Sequence, residues 1–534
     1  MMRQALLVVW CSLLAPLQVM AQGTAPDALG RGPLGPIADL ARILPVAPAL
    51  PMLLTAPAPK VGVHWSAGNP AGLAFELNHE WSAFGASHGS ESGDFRRPLD
   101  AGEVDVSGLS GIGWRRIGSG AVSGGVEVVR TALGGNAFAN TRAPYTSSPH
   151  TSADTAGADV RELAVRVEGA GGWRVGAWGF GIAAGYETTD GRTDESFTPK
   201  FRRTTLLGAT LGVARTFADE VVILGAHARV NDGSSRLSVQ GRGDAIARVY
   251  PLEGYTEPVP ILLTGNNAFN RRIESTAYAF GASASLRVLG TRWVLWSELT
   301  DRTETQTSEV VRGAPEDRWS PSGLAAGLSA QRAFAGDRAL VTANVTWTRL
   351  SGEARRAALE VEGILFEADE QDVTAMSELR LRSVGGWEGA ARAFVAWEDR
   401  ERIDVLEGAA MALHAWRPGF AVEVGRSKGS FAFGAGAGAS LYTPVGEIPN
   451  PTAYGPIYNR ILAPELALYG TPAVAYTGTL SAGWTTAGGR RLWGRLHYTS
   501  VSPRDAGVIL PHEPSGTRTR WTVAVGVNLE RPEP

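Results

Sequence analysis

Side chains along most of this chain alternate with a period of two. In the final stretch, Trp521, Val523, Val525, Val527 and Leu529 are apolar, while Thr522, Ala524, Gly526, Asn528 and Glu530 between them are small or polar. Val341, Ala343, Val345 and Trp347 alternate with Thr342, Asn344, Thr346 and Thr348, and Leu163, Val165 and Val167 alternate with Glu162, Ala164, Arg166 and Glu168. A strand sends successive side chains to opposite faces, so each such segment has one oily face and one wet face.

Alternation alone also fits a soluble sandwich, and two further features separate the cases. The alternating runs are longer than the roughly 5–6 residues usual for soluble strands, and they reach the roughly 9–11 that a tilted strand needs to cross a bilayer. The connections also take turns. Short ones lie near 118–120, 169–172, 217–220, 289–291, 334–338, 384–387 and 486–490; long polar ones lie near 87–102, 132–158, 188–203, 232–273, 302–320, 351–371, 442–472 and 501–519. Transmembrane barrels have short periplasmic turns and long external loops because their strands run up and down in sequence. The predicted fold is therefore all-β: a transmembrane antiparallel up-and-down β-barrel. The rhythm falters at 400–430, where Arg417-Pro418-Gly419 and Ser427-Lys428-Gly429 both look like turns. Treating 400–418 mainly as loop restores it and predicts 18 strands, with 14 or 16 as alternatives.

The start of the chain predicts export. Arg3, an apolar run from Ala5 to Leu17 and Val19-Met20-Ala21 make a signal peptide over 1–21, cut before Gln22. Removing it takes away Cys11, the one cysteine, and with it any disulfide or thiolate metal site. Residues 22–60 are rich in Pro and Ala and read as a periplasmic leader, either a plain linker or a segment tucked into the barrel; 61–534 form the barrel. The net charge of −3 argues against nucleic acid as a partner.

Charged residues locate the wet face. Arg166, Glu168, Arg229, Arg287, Glu378, Arg380, Arg382, Arg392, Glu423 and Arg495 stand opposite or between apolar residues. An arginine at the bilayer midplane on the lipid side costs roughly 2–4 kcal/mol. Ten such costs would exceed the ~5–15 kcal/mol net stability of a typical fold, so these residues are predicted to line the lumen. Their arginine excess would favour anionic solutes. Trp114, Trp173, Trp293, Trp387 and Trp493 lie close to short turns and are predicted to form an aromatic girdle at the headgroup level.

Motifs that resemble catalytic or ligand sites have plainer readings. Gly425-Arg426-Ser427-Lys428-Gly429 matches G-x-S-x-G, but a strand follows it where a nucleophile elbow needs a helix. Gly434, Gly436 and Gly438 alternate with alanines as small residues of a strand. No two histidines have zinc-ligand spacing; His227 and His497 share the parity of Arg229 and Arg495 and read as lumen residues. Glu367, Asp369, Glu370 and Asp372 read as a solvated acidic loop, with a divalent ion bridging lipopolysaccharide as the alternative. No catalytic residue, metal site or cofactor is expected.

The whole mature chain resembles the large outer-membrane β-barrel proteins, the porin and transporter superfamily in its loose sense. Residues 520–530 resemble the closing strand read by the barrel assembly machinery, although the chain runs on into Arg531-Pro532-Glu533-Pro534. Ala153-Asp154-Thr155-Ala156-Gly157-Ala158-Asp159 and Arg142-Ala143-Pro144-Tyr145 are similar to a barrel family of unknown function found beside TonB-dependent receptors. Asn69-Pro70-Ala71 resembles the N-terminal Asn-Pro-Ala of the long-chain fatty-acid transporters, but the residues around it depart from that pattern. These resemblances imply an outer-membrane protein in contact with lipid and lipopolysaccharide, acting as a porin-like channel or passive transporter. The alternatives are an accessory barrel that docks a receptor, lipoprotein or secretion component and, behind it, an outer-membrane hydrolase.

Overall fold

The computed structural model describes residues 68–76, 80–96, 99–135, 151–154, 158–193, 200–218, 221–241, 246–252, 260–265, 267–308, 317–334, 338–356, 363–405, 408–447, 459, 461, 463–488, 490–504 and 514–530. The signal peptide, the leader 22–60 and Arg142–Tyr145 lie outside the described residues.

In chain order the strands are β1 (Trp81–Gly93), β2 (Glu103–Ile117), β3 (Gly120–Gly134), β4 (Thr151–Asp154), β5 (Val160–Val175), β6 (Trp178–Thr193), β7 (Lys200–Phe217), β8 (Val222–Gln240), β9 (Ala247–Leu252), β10 (Ile261–Leu263), β11 (Ala268–Val288), β12 (Thr291–Ser308), β13 (Asp317–Phe334), β14 (Ala339–Arg356), β15 (Gly363–Arg382), β16 (Trp387–Asp404), β17 (Ala409–Lys428), β18 (Phe431–Glu447), β19 (Ala473–Thr485), β20 (Arg491–Pro503) and β21 (Arg518–Glu530). Among the described residues there are also two short α-helices, α1 (Leu73–Glu76) and α2 (Ala463–Tyr469). Eighteen of the strands form one antiparallel sheet. It closes on itself, because β1 pairs with β2 on one side and β21 on the other, with Trp81 opposite both Trp114 and Glu530. The remaining three, β10, β9 and β4, make a small separate sheet from two of the long connections.

Burial follows the alternation. On β5, Glu162, Ala164 and Arg166 are buried, while Leu163, Val167, Trp173 and Val175 are exposed. On β11 Tyr278, Phe280 and Leu286 are exposed, and Ser283 and Ser285 are buried. Polar inside and apolar outside is the inverse of a soluble fold. With every barrel strand paired on both edges, backbone groups are satisfied within the sheet, as hydrocarbon requires. The molecule is a transmembrane β-barrel of the outer membrane, with the short turns, Trp81 and Glu530 together at its periplasmic end.

The barrel strands run from 13 to 21 residues, so the longest extend well beyond the roughly 9–11 that a membrane requires. They project on the long-connection side, and two expectations fail there. Residues 400–404 and 409–418 are strand: β16 and β17 pair without a break from Asp404↔Ala409 to Trp387↔Arg426. The strand count survives because the stretch read as a loop is the far ends of two strands. Likewise Glu367, Asp369, Glu370 and Asp372 belong to β15 and are no loop. Above the membrane both faces of a strand meet water or polar neighbours, so the hydrophobic period fades.

Candidate functional site in the barrel lumen

The inner wall of β15–β17 carries charge at two levels. Nearer the periplasmic end, Glu378 and Arg392 face each other across β15 and β16. One carboxylate oxygen of Glu378 accepts from Nε and Nη2 of Arg392 at 3.0 and 2.6 Å, and the other accepts from Nε of Arg380. Glu423 is buried on β17 beside them. Between the levels the Phe394 ring lies against Gly419, directly across the ladder, where any Cβ would collide with it. Farther out, Arg402 donates to Glu370 at 2.9 and 2.6 Å, and Arg400 and Arg417 converge on Glu398. The rings of Tyr469 and Tyr442 lie 5.5 and 5.7 Å from the Arg400 and Arg417 guanidiniums, and the Tyr442 hydroxyl donates to the Tyr469 carbonyl at 2.9 Å. Tyr469 belongs to α2, which folds inward: its Leu468 packs with Phe95, Ala415, Tyr442, Ala473, Ala475 and Val501.

The arc from β5 to β12 is built the same way. Arg166 lies 3.6 Å from Glu168, Arg202 pairs with Glu162, and Glu298 holds both Arg229 and, at 3.0 Å, Nε2 of His227. His227 sits directly opposite Gly281, which leaves room for its ring.

Against this arc, inside the barrel, lies a hook of chain formed by Asn69, a 3-10 turn over Pro70–Gly72, and α1. Asn69 is fully buried. Its Nδ2 donates to the carbonyls of Val213 on β7 and Ala226 on β8 at 3.1 and 3.2 Å, and its Oδ1 accepts from the amide of Ala71 at 3.0 Å. The wall has been cleared of side chains to receive it. A Cβ on Gly212 would collide with Asn69, one on Gly181 with Ala71, one on Gly179 with the Phe75 ring, and one on Gly172 would lie 2.8 Å from Leu73 Cβ. Arg174 stacks over Phe75 at 5.2 Å, and Leu73 packs against Ala121 with Trp114 alongside. These glycines stand within a few residues of the turns, so the hook occupies the periplasmic half of the lumen.

The predicted residues divide accordingly. Arg166, Glu378, Arg392 and Glu423 are buried on the inner wall, and Glu168, Arg229, Arg380 and Arg495 are partly buried there. Arg287 and Arg382 share the inward parity but stand exposed at the turn end, where Arg382 meets Glu388 at 2.7 Å. Trp173, Trp293 and Trp387 are exposed on the outer face. Trp114 and Trp493 depart from the girdle and point inward. Trp493 lies over Gly526 and donates through Nε1 to Asn528 at 3.1 Å, and Trp114 packs beside the hook. Both occupy the inward parity of their strands, which outweighs their nearness to a turn.

Ser427 is the last residue but one of β17, donates its hydroxyl to the Gly386 carbonyl at 3.3 Å and is followed by β18. Of the acidic set, Asp369 pairs with Arg349 at 2.6 Å on the outer face and Glu370 with Arg402 inside. No group of three metal-ligating side chains occurs among the described residues. Sequence reasoning missed the hook and the outer charge level of Glu370, Glu398, Arg400, Arg402 and Arg417. The available signal for the hook was four inward glycines on three neighbouring strands.

A family model, described as a family of unknown function (DUF6850), matches residues 70–529. No curated protein sequence matches the chain. Among solved structures it is similar to the ferric yersiniabactin uptake receptor FyuA from Yersinia pestis, at 9% identity and a TM-score of 0.42, covering 85% of this chain and 80% of that one. The FrpB iron transporter from Neisseria meningitidis gives 11% identity and a TM-score of 0.38 over 86% and 82%. The outer membrane protein opdK from Pseudomonas aeruginosa gives 13% identity and a TM-score of 0.31 over 85% and 100%. Similarity at this level carries no information on function.

Proposed function

The chain belongs to the family of unknown function DUF6850, and on that footing we propose that it is an outer-membrane transporter for small polar solutes, with the hook restricting the periplasmic half of its lumen. The observation that carries this reading is the sorting of side chains: ion pairs on the inner wall, buried at Glu378–Arg392 and half-buried at Glu298–Arg229, with an apolar outer wall around them. A wall of charges held in pairs offers hydrogen-bonding groups along a conduit without a large net field. Arginine excess therefore gives little preference for anions. Large barrels hold aqueous interiors, and inward-folded segments such as α2 and the hook filter what passes.

Planar-bilayer conductance and solute uptake into vesicles test the reading. Conductance that rises when residues 69–76 are deleted is the expected result. A folded protein that passes neither ions nor sugars, with or without those residues, removes it.

A second reading, an accessory barrel that docks a partner, is favoured by the small sheet. Its strands β4, β9 and β10 come from two separate connections, and Val249 of β9 and Leu263 of β10 pack on Leu237, Val239 and Phe269 of the inner wall, giving an ordered surface at the outer mouth of the barrel. A receptor or lipoprotein that co-purifies from native membranes, and is lost when β9–β10 is replaced, would support it.

A further inference from the structure

On the outer face, one arrangement repeats at the periplasmic end. Arg215, Arg332 and Arg426 are each third from the end of a strand running down to a short turn, in β7, β13 and β17. All three are exposed and share the outward parity of the apolar belt. Each guanidinium lies over an aromatic ring: Arg215 over Trp178 at 4.9 Å and Phe217 at 4.8 Å, Arg332 over Phe334 at 4.8 Å, Arg426 over Trp387 at 5.1 Å. In two cases the geometry is the same in detail. Trp178 and Trp387 are the first residues of β6 and β16, and each faces its arginine directly across the ladder. Among the described residues none of the three arginines has a salt bridge to a carboxylate, whereas Arg115, at the same position of β2, meets Glu80 at 3.3 Å.

We propose that Arg215, Arg332 and Arg426, with their aromatic platforms, are binding sites for the phosphates of anionic glycerophospholipids in the periplasmic leaflet. The rings fix each guanidinium at the depth where Trp settles, at the boundary of hydrocarbon and headgroup. Stacking uses one face of the guanidinium and leaves its edge of N–H donors free, which matches two oxygens of a phosphate diester. The chains of the same lipid then lie along the apolar outer wall above. A net negative lipid leaves the guanidinium as its counter-charge, while a zwitterionic lipid brings an ammonium that competes with it.

Native mass spectrometry of the full chain, released from detergent with equal phosphatidylglycerol and phosphatidylethanolamine, tests the proposal. Wild type should retain phosphatidylglycerol at least several-fold over phosphatidylethanolamine. The triple variant R215Q/R332Q/R426Q, shown folded by its heat-modifiable gel mobility, should bring that ratio close to one, and R115Q should leave it unchanged. Equal retention of the two lipids by wild type overturns the proposal whatever the variants do. So does a folded triple variant that keeps the wild-type ratio.

Discussion

Asn69 occupies the space that a side chain on Gly212 would need. The two are held against each other because the Asn69 carboxamide spans β7 and β8, donating to Val213 and Ala226. Gly212→Ala is expected to unseat the hook without opening the barrel, since the wall itself is held by continuous pairing on both sides of β7. Overpacking costs typically ~1–3 kcal/mol, comparable to what a few hydrogen bonds at ~1 kcal/mol each contribute. Single-channel current should rise about two-fold or more, and Asn69→Ala should move it the same way. Unchanged current in both variants would mean that the hook does not narrow the path.

Glu378 holds both Arg380 and Arg392 on the inner wall. Removing one partner of a buried pair leaves an uncompensated charge and costs roughly 3–5 kcal/mol. Glu378→Ala should therefore lower the denaturant midpoint of the barrel in lipid vesicles, followed by tryptophan fluorescence. Glu388→Ala, whose partner Arg382 is exposed at the rim, should change it by less than about 1 kcal/mol.

What was legible in the sequence, and what was not, follows from where the membrane acts. Across the bilayer, oil on one wall and water on the other impose a period of two on every residue, and strands such as β14 and β21 could be placed from that alone. The turn read near 169–172, by contrast, lies inside β5, where glycines interrupt the pattern. Beyond the bilayer the contrast disappears. Asp369 pairs outside with Arg349 while its neighbour Glu370 pairs inside with Arg402, so β15 is polar on both faces there and resembled a loop. Trp493 was assigned by its distance from a turn, although it shares the parity of Arg495, and parity decides the face. The hook was invisible for another reason: its seat is made by missing side chains at Gly172, Gly179, Gly181 and Gly212, and an absent side chain leaves no hydrophobic signal.

The paired inner wall sets the expected ion selectivity. Seven of the ten charged lumen positions expected from sequence are arginine, which would predict anion preference. In the structure Glu162, Glu298, Glu370 and Glu398 stand against Arg202, Arg229, Arg402 and Arg417. With those charges offset, reversal potentials in a salt gradient should give a cation-to-anion permeability ratio within about three-fold of one, since summed fields and not single residues set steering. Glu298→Gln should shift the ratio toward anions by leaving Arg229 uncompensated.

The two classes of tryptophan should separate by their access to lipid. Trp173, Trp293 and Trp387 are exposed on the outer wall near the turns, where the ring settles at the headgroup boundary. Trp493 points the other way, hydrogen-bonded to Asn528 and lying on Gly526. Bromine on the upper carbons of a phospholipid chain quenches indole fluorescence only over a short distance, so it reads the outer wall and not the lumen. In vesicles of such a lipid, Trp387→Phe should reduce the quenchable part of the emission, and Trp493→Phe should remove emission that bromine does not reach. Acrylamide, entering from water, should act on Trp493 only as far as the lumen admits it. If Trp493 emission is quenched by the brominated lipid as strongly as that of Trp387, the inward parity of β20 is wrong and Arg495 would then face hydrocarbon.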